Sequence, residues 1–321
     1  MRLFGKRVPF QLHHISEPGT RRGRDTIQHM RDYIELTKPR ITWLILMSTG
    51  IGYFFGLAGT AGWNEFVRHI GLLRLLHTML GTGLMASGTA ALNQWYEREA
   101  DRKMRRTADR PLPAGRLAAG PAFAFGIALA VAGFADLWLG ATPLAAWIGV
   151  FTIASYLWFY TPLKQRTWWS TTVGAIPGAM PPLMGYAAAA GRLTADAWVL
   201  AAILFLWQFP HFYSIAWMYK EDYARAGIRM LPVVEPDCRS TARQIVLFGL
   251  LLIPVSLAPA LVGMSGRIYL AGALLLGLWF LSSGVRVARS RTLVRARGVL
   301  LASVLYLPFL YGLMILDRPG L

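Results

Sequence analysis

Nine uncharged or nearly uncharged runs, each close to twenty residues long, divide this chain almost from end to end. They lie near 41–58, 75–96, 118–137, 143–161, 169–188, 197–218, 244–262, 268–285 and 298–316. A hydrocarbon core takes about 20 helical residues to cross. Inside lipid every backbone polar group must find a partner within its own segment, which open strands cannot provide. The runs therefore predict an all-α, polytopic membrane protein with nine transmembrane helices. The Gly and Pro within them are ordinary in membrane helices. Composition agrees, with 55% hydrophobic and 15% charged residues, against about 25% charged in soluble domains.

The basic residues set the expected orientation. Nine Lys/Arg precede helix 1, up to Arg40, and the loops after helices 2, 4, 6 and 8 hold seven, two, five and five. The opposite side holds five, Arg68, Arg74, Arg192, Arg267 and Arg318, of 33 in the chain. The N-terminus is thus expected on the cytoplasmic side (the matrix side in a mitochondrion), with the C-terminus across the bilayer. The net charge of +17 is this asymmetry together with attraction to anionic headgroups of the lipid bilayer. No soluble basic face with interleaved aromatics exists, which argues against a nucleic-acid partner. One cysteine, Cys238, excludes a disulfide framework. Residues 1–35 read as a basic, disordered tail without an apolar signal core, and 36–321 as one intramembrane domain. The short tail favours a bacterial inner membrane over a mitochondrial one.

Acidic residues are concentrated in two inner loops. Glu97, Glu99, Asp101 and Asp109 follow helix 2; Glu221, Asp222, Glu235 and Asp237 follow helix 6. That is half of the chain's sixteen acids, four helices apart and on one side. A duplicated four-helix unit, helices 1–4 and 5–8 with helix 9 appended, would produce this spacing and bring the two loops together over a central cavity.

Asn93, Glu97 and Asp101 are four residues apart, so a helix places them in one column. Three oxygen-bearing side chains suit magnesium, which takes one or two carboxylates and shares its other positions with water and substrate phosphate. Arg106 and Arg110, also four apart, offer planar forks for phosphate oxygens. Acid for metal beside base for phosphate describes a diphosphate site. A solvated helix end carrying ion pairs would use the same residues. The second loop, with Glu221 and Asp222 closing another membrane helix on the same side, favours the paired metal site.

His211 lies eleven residues before Asp222, about three helical turns, so one helix face is expected to carry both. A histidine inside a membrane helix can ligate haem iron, contact phosphate, or hydrogen-bond a carbonyl as structure, and all three stay open. Tyr160 and Lys164 in YTPLKQR, like Lys38 and Arg40 in LTKPRI, stand beside the membrane surface. Anchoring and topology account for them unless they approach the acids. His77 is expected at the outer interface, and His13, His14 and His29 carry no helix-register argument.

Five stretches resemble the UbiA-type intramembrane prenyltransferases. They are LTKPRI at 36–41, NQWYEREADRKMRRTADRPLP at 93–113, YTPLKQRT at 160–167, GAIPGAMPPLMGY at 174–186 and PHFYSIAWMYKEDYARAGIRMLPVV at 210–234. They stand in family order, and the last two are similar to the haem-modifying branch. The resemblance implies a bundle around a cavity in which magnesium holds farnesyl diphosphate and the farnesyl group passes to a vinyl group of haem B. The product would be haem O, a precursor of haem A, which makes a haem A synthase a candidate partner. Carried over by position, Asn93, Glu97 and Asp101 match the first metal motif, Arg106 and Arg110 its basic partners, and Glu221 and Asp222 the second acidic motif. The catalytic set is then Asn93, Glu97, Asp101 and Asp222, with Lys164 joining the two arginines on diphosphate and His211 and Tyr160 at haem or diphosphate. Glu97 stands where the wider family has Asp, and His211 where other branches carry an acid, which leaves the metal count open. The alternatives are a prenyltransferase for an aromatic quinone precursor and a non-catalytic haem or lipid transporter or scaffold.

Overall fold

A computed structural model describes residues 18–58 and 69–319, with side chains described from 27 to 57 and from 71 to 319. His13, His14, Arg68 and the start of the expected basic tail lie outside the described residues. Among the described residues the regular structure is entirely helical. The helices are α1 Pro18–Leu36, α2 Pro39–Ala58, α3 His69–Arg102, α4 Ala119–Gly140, α5 Pro143–Leu163, α6 Ser170–Gly178 and α7 Met180–Ala190. They continue with α8 Ala195–Met218, α9 Lys220–Arg225, α10 Leu231–Val234, α11 Arg239–Leu261, α12 Arg267–Ser290 and α13 Leu293–Leu316. Seven of these, α2, α4, α5, α8, α11, α12 and α13, are long and apolar enough to cross a membrane.

The two expected crossings outside that set have physical reasons. In α3 Gly81, Thr82, Gly83, Ser87, Gly88 and Thr89 dilute the uncharged stretch, and the 34-residue helix continues without a break into Glu97, Arg98, Glu99, Asp101 and Arg102. The fifth run is divided at Ala179 (φ −90°, ψ −3°), ahead of Pro181 and Pro182, whose missing N–H groups cannot continue the ladder of α6 into α7.

The expectation of a disordered tail fails for residues 18–35, where α1 is helical. Ile27, Met30 and Ile34 recur at helical spacing on an exposed stripe, while Asp32 faces inward and pairs with Arg116 at 2.9 Å. Leu36, at the end of α1, is fully buried beside Ala91 and Leu112. The amphipathic period, not the basic count, was the decisive signal.

Small residues bring the helices into close contact, as is usual where lipid rather than water surrounds a bundle. Between α2 and α7, a Cβ on Gly52 would fall 2.0 Å from the Pro182 carbonyl oxygen, and one on Gly185 would fall 1.8 Å from that of Thr49. Backbone occupies both positions, so nothing can rotate away. Gly185→Ala is expected to destabilise by about 1–3 kcal/mol through overpacking, read as a lower melting temperature in detergent. A variant melting with the wild type would show that α2 and α7 can separate freely. The opposite side of the bundle is a layered core of α8, α11, α12 and α13, with Phe209 stacked on Phe248 at 3.7 Å.

Candidate active site

The C-terminal third of α3 presents Asn93, Glu97 and Asp101 on one face, as their spacing predicts, and each is met by a cation from a different segment. Lys38 Nζ donates to Asn93 Oδ1 at 3.0 Å. Lys164 Nζ donates to Glu97 Oε1 at 2.8 Å, and Arg110 donates to Asp101 Oδ2 at 2.7 Å. Asn93 and Asp101 are each 1% exposed. Carboxylates so withdrawn from water require compensation, and the three cations supply it.

Local backbone features aim these cations. Lys38 precedes Pro39, the first residue of α2, and holds a left-handed conformation (φ 48°). Such a conformation is costly for a residue with a side chain and recurs at functional sites. It turns the chain between α1 and α2. On α5, the segment Ser155–Tyr160 is wound as a π-helix, another feature concentrated at functional sites. Tyr156 and Tyr160 pack edge to face at 5.0 Å, and the Lys164 ammonium sits 4.4 Å above the Tyr160 ring. Thr161 donates to the Tyr156 carbonyl at 2.8 Å and accepts from Asn93 Nδ2 at 3.4 Å, linking the π segment to the α3 column.

The second acidic segment reaches the same place. Asp222 on α9 accepts long bonds of 3.4 Å from the backbone N–H groups of Arg105 and Arg106, just past the end of α3. Arg225 also bonds to Asp222. The Arg106 guanidinium lies over the Tyr219 ring at 4.7 Å and donates to the Tyr223 hydroxyl at 3.3 Å. An apolar cluster of Ala100, Met104, Ala216, Ala226, Ile228 and Met230 pins the two loops together. The Arg229 N–H donates to the Lys164 carbonyl at 2.8 Å, tying the α9–α10 connector to the end of α5.

The charges do not cancel. Lys38, Lys164, Arg106, Arg110 and Arg225 surround Glu97, Asp101 and Asp222, five cations to three carboxylates. Among the described residues no carboxylate stands in ion-pair distance of Lys38 or Arg106. Burial and the neighbouring Arg110 push the Lys38 ammonium down to about 8. Burial also works against the charge on Lys164, yet Glu97 holds it well above the ordinary lysine value. The group lacks negative charge, and an entering polyanion would supply it.

One expectation needs correction. His211 and Asp222 do not share a helix face, because α8 stops at Met218 and Tyr219 leaves helical geometry (φ −114°, ψ 25°) before α9 begins. His211 is stacked on Trp207 at 4.8 Å, and its Nδ1 lies 2.8 Å from Ser303 Oγ on α13. Ser303 already donates to the Leu300 carbonyl at 2.6 Å, so its oxygen accepts from Nδ1–H and leaves the Nε2 lone pair free. The carboxylates are spread along the site and not gathered into one cluster. Glu221 is exposed, and among the described residues no set of three His, Cys, Asp or Glu side chains could hold a metal ion.

Sequence reasoning gave no role to Tyr156, Thr161, Tyr219, Tyr223 or Arg225, and treated Lys38 only as topology. Tyr156, Tyr160 and Lys164 recur every four residues, as do Tyr219 and Tyr223, and that periodicity was the available signal. His77, expected at the interface, is within 2.8 Å of Asp136. The donors nonetheless fit a magnesium ion. Asn93, Glu97, Asp101 and Asp222 all offer hard oxygens, and one or two carboxylates suffice when a diphosphate completes the coordination.

The profile of the UbiA prenyltransferase family matches residues 43–310. The chain is 78% identical over 292 residues to the protoheme IX farnesyltransferase of Solibacter usitatus, covering 91% of this chain and 100% of that one. It is 46% identical over 300 residues to the protein of the same name from Koribacter versatilis, covering 90% and 94%. In fold it is similar to a UbiA homologue from Archaeoglobus fulgidus solved with DMAPP and Mg2+, with a TM-score of 0.63, 15% identity and coverage of 88% and 99%.

Proposed function

The chain belongs to the UbiA prenyltransferase family, and from that premise we propose that it joins the farnesyl group of farnesyl diphosphate to a vinyl group of haem B, giving haem O and diphosphate. The observation that carries the reading is the buried oxygen column of α3 enclosed by an excess of cations. The acceptor follows from the farnesyltransferase that is 78% identical over its whole length.

In the reaction the allylic C–O bond breaks and diphosphate leaves with the electron pair. The vinyl π electrons of haem B form the new C–C bond. Water then adds to the resulting cation and loses a proton, leaving a hydroxyethylfarnesyl group. Magnesium bound at Asn93, Glu97, Asp101 and Asp222 would supply positive charge to the leaving diphosphate. Lys38, Lys164, Arg106 and Arg110 bind and orient the diphosphate. Their fixed charge is worth more in this water-poor site than it would be in solution. Tyr160 presents its ring face to Lys164 and Tyr156 packs against it edge to face, aromatic surroundings that tolerate a neighbouring cation. His211, with its Nε2 lone pair free, is assigned to the haem side, away from the diphosphate grip.

The same reading takes nine crossings, counting α3 and the α6–α7 pair. It puts the basic end of the bundle, and so the site, on the cytoplasmic face of a bacterial inner membrane. A haem A synthase would receive the product there. Purified protein with magnesium, farnesyl diphosphate and haem B is expected to yield haem O by mass spectrometry, and none when 4-hydroxybenzoate replaces haem or when a chelator removes the metal. Prenylated 4-hydroxybenzoate in place of haem O would reassign the acceptor.

A further inference from the structure

The end of the bundle that carries the diphosphate site holds a second concentration of positive charge, on the helices of the opposite side. Between the N-terminal turn of α11 and the C-terminal turn of α12 lies a cleft of about 250 Å3 lined by Arg239, Arg243, Arg291, Ala242 and Ala288. The two alanines leave the room, and the three guanidiniums surround it. Other arginines of this face, such as Arg102, Arg110, Arg116 and Arg225, are paired with acids. Among the described residues no carboxylate is in ion-pair distance of Arg239, Arg243 or Arg291. The nearby acids are committed elsewhere. Glu235 accepts from the Ser240 N–H and hydroxyl at 2.8 and 2.9 Å, and Asp237 from the Arg239 backbone N–H at 3.0 Å. The neighbouring Lys220 adds charge of the same sign.

We propose that this cleft binds the phosphate of an anionic phospholipid, with the headgroup among Arg239, Arg243 and Arg291 and the acyl chains along the outer faces of α11 and α12. Three observations select a lipid. The volume is below the roughly 300–1,000 Å3 of pockets that enclose a whole small molecule, which suits an occupant whose bulk remains outside. Both walls are membrane-spanning helices, and basic clefts between such helices are suited to anionic headgroups. Below the arginines the surface turns apolar at once, with Leu247 one turn from Arg243 and Leu250 beyond it, both exposed. A free phosphate would engage the same guanidiniums without using that apolar surface.

The full-length protein in neutral detergent would be titrated with phosphatidylglycerol and with phosphatidylcholine, and bound lipid counted by native mass spectrometry. Wild type is expected to retain phosphatidylglycerol selectively. Arg239→Ala/Arg243→Ala/Arg291→Ala is expected to bind it about 100-fold more weakly, taking the typical contribution of each basic residue near an anionic surface. A single Arg243→Gln should lose about fivefold, and it keeps the test decisive if the triple variant fails to fold. Arg286→Ala/Arg289→Ala/Arg297→Ala removes equal charge from exposed positions outside the cleft and should bind as wild type does. Equal losses in both triple variants would reduce the effect to bulk charge and overturn the site. Unchanged binding in Arg243→Gln and the cleft triple would overturn it as well. Displacement of the lipid by millimolar inorganic phosphate would replace the lipid assignment with a soluble anion.

Discussion

Asp101→Ala is expected to lower turnover of farnesyl diphosphate by about a thousandfold or more, in line with the loss of a principal electrostatic element, while leaving an inserted, folded protein. Asp101 is withdrawn from solvent at the end of α3, where it pairs with Arg110 at 2.7 Å. Removing the carboxylate deletes a hard oxygen donor and also releases Arg110 from the position in which it faces the site. The fold should survive because the Arg110 side chain keeps 26% of its surface in solvent and can rehydrate. Thr107 holds the turn through the Asp101 backbone carbonyl at 2.8 Å, a bond the substitution spares. Diphosphate release by the detergent-purified variant is the measurement, with size-exclusion behaviour as the check on folding. Activity within tenfold of wild type would remove Asp101 from the metal-binding set.

Lys164→Ala is expected to have the largest effect on stability. The Lys164 and Glu97 side chains are each only 12% exposed, and their ion pair spans α5 and α3 at 2.8 Å. Removing one partner of a buried pair costs about 3–5 kcal/mol, mostly because the other charge is left without compensation. Lys38 is near enough to Glu97 to stabilise its carboxylate, which places the expected loss at the lower end, about 3 kcal/mol. Melting should fall by about 5–10 °C. The double variant Glu97→Ala/Lys164→Ala should recover much of that loss, since it leaves no orphaned charge. Magnesium should also raise the melting point of Lys164→Ala more than that of wild type, because a divalent ion can take the place of the missing ammonium at Glu97. A double variant no more stable than the single one would mean that Lys164 acts through packing on Tyr160 instead.

The α3 column could be read from the sequence because Asn93, Glu97 and Asp101 lie on a single unbroken helix, where spacing alone fixes the face. Run length also located the long apolar helices, since each is a contiguous uncharged stretch. What could not be read depends on contacts between segments or on breaks in regular geometry. Lys38 reaches Asn93 across 55 residues of sequence from a left-handed backbone turn that no residue type announces. The π turn that presents Tyr156 and Tyr160 has no distinct composition. The helix break at Tyr219 is equally silent, with neither Gly nor Pro to announce it, and it separated His211 from Asp222. The helical identity of α1 was legible in Ile27, Met30 and Ile34 but was outweighed by the surrounding arginines.

The pairing of every buried acid in the site with one of the chain's own cations has a consequence for how the proposed ligands load. A divalent ion arriving by itself would have to evict Lys164 or Arg110 into a pocket that offers them no other counter-charge. A polyanion arriving by itself would meet Lys38 and Arg106 at once, but it would compete with Glu97 and Asp101 for Lys164 and Arg110. Together, the two exchange partners with the protein in one move and leave no charge unanswered. Each would therefore tighten the other's hold by the same factor, as thermodynamic linkage demands, so that metal alone is expected to bind more weakly than metal presented with a prenyl diphosphate.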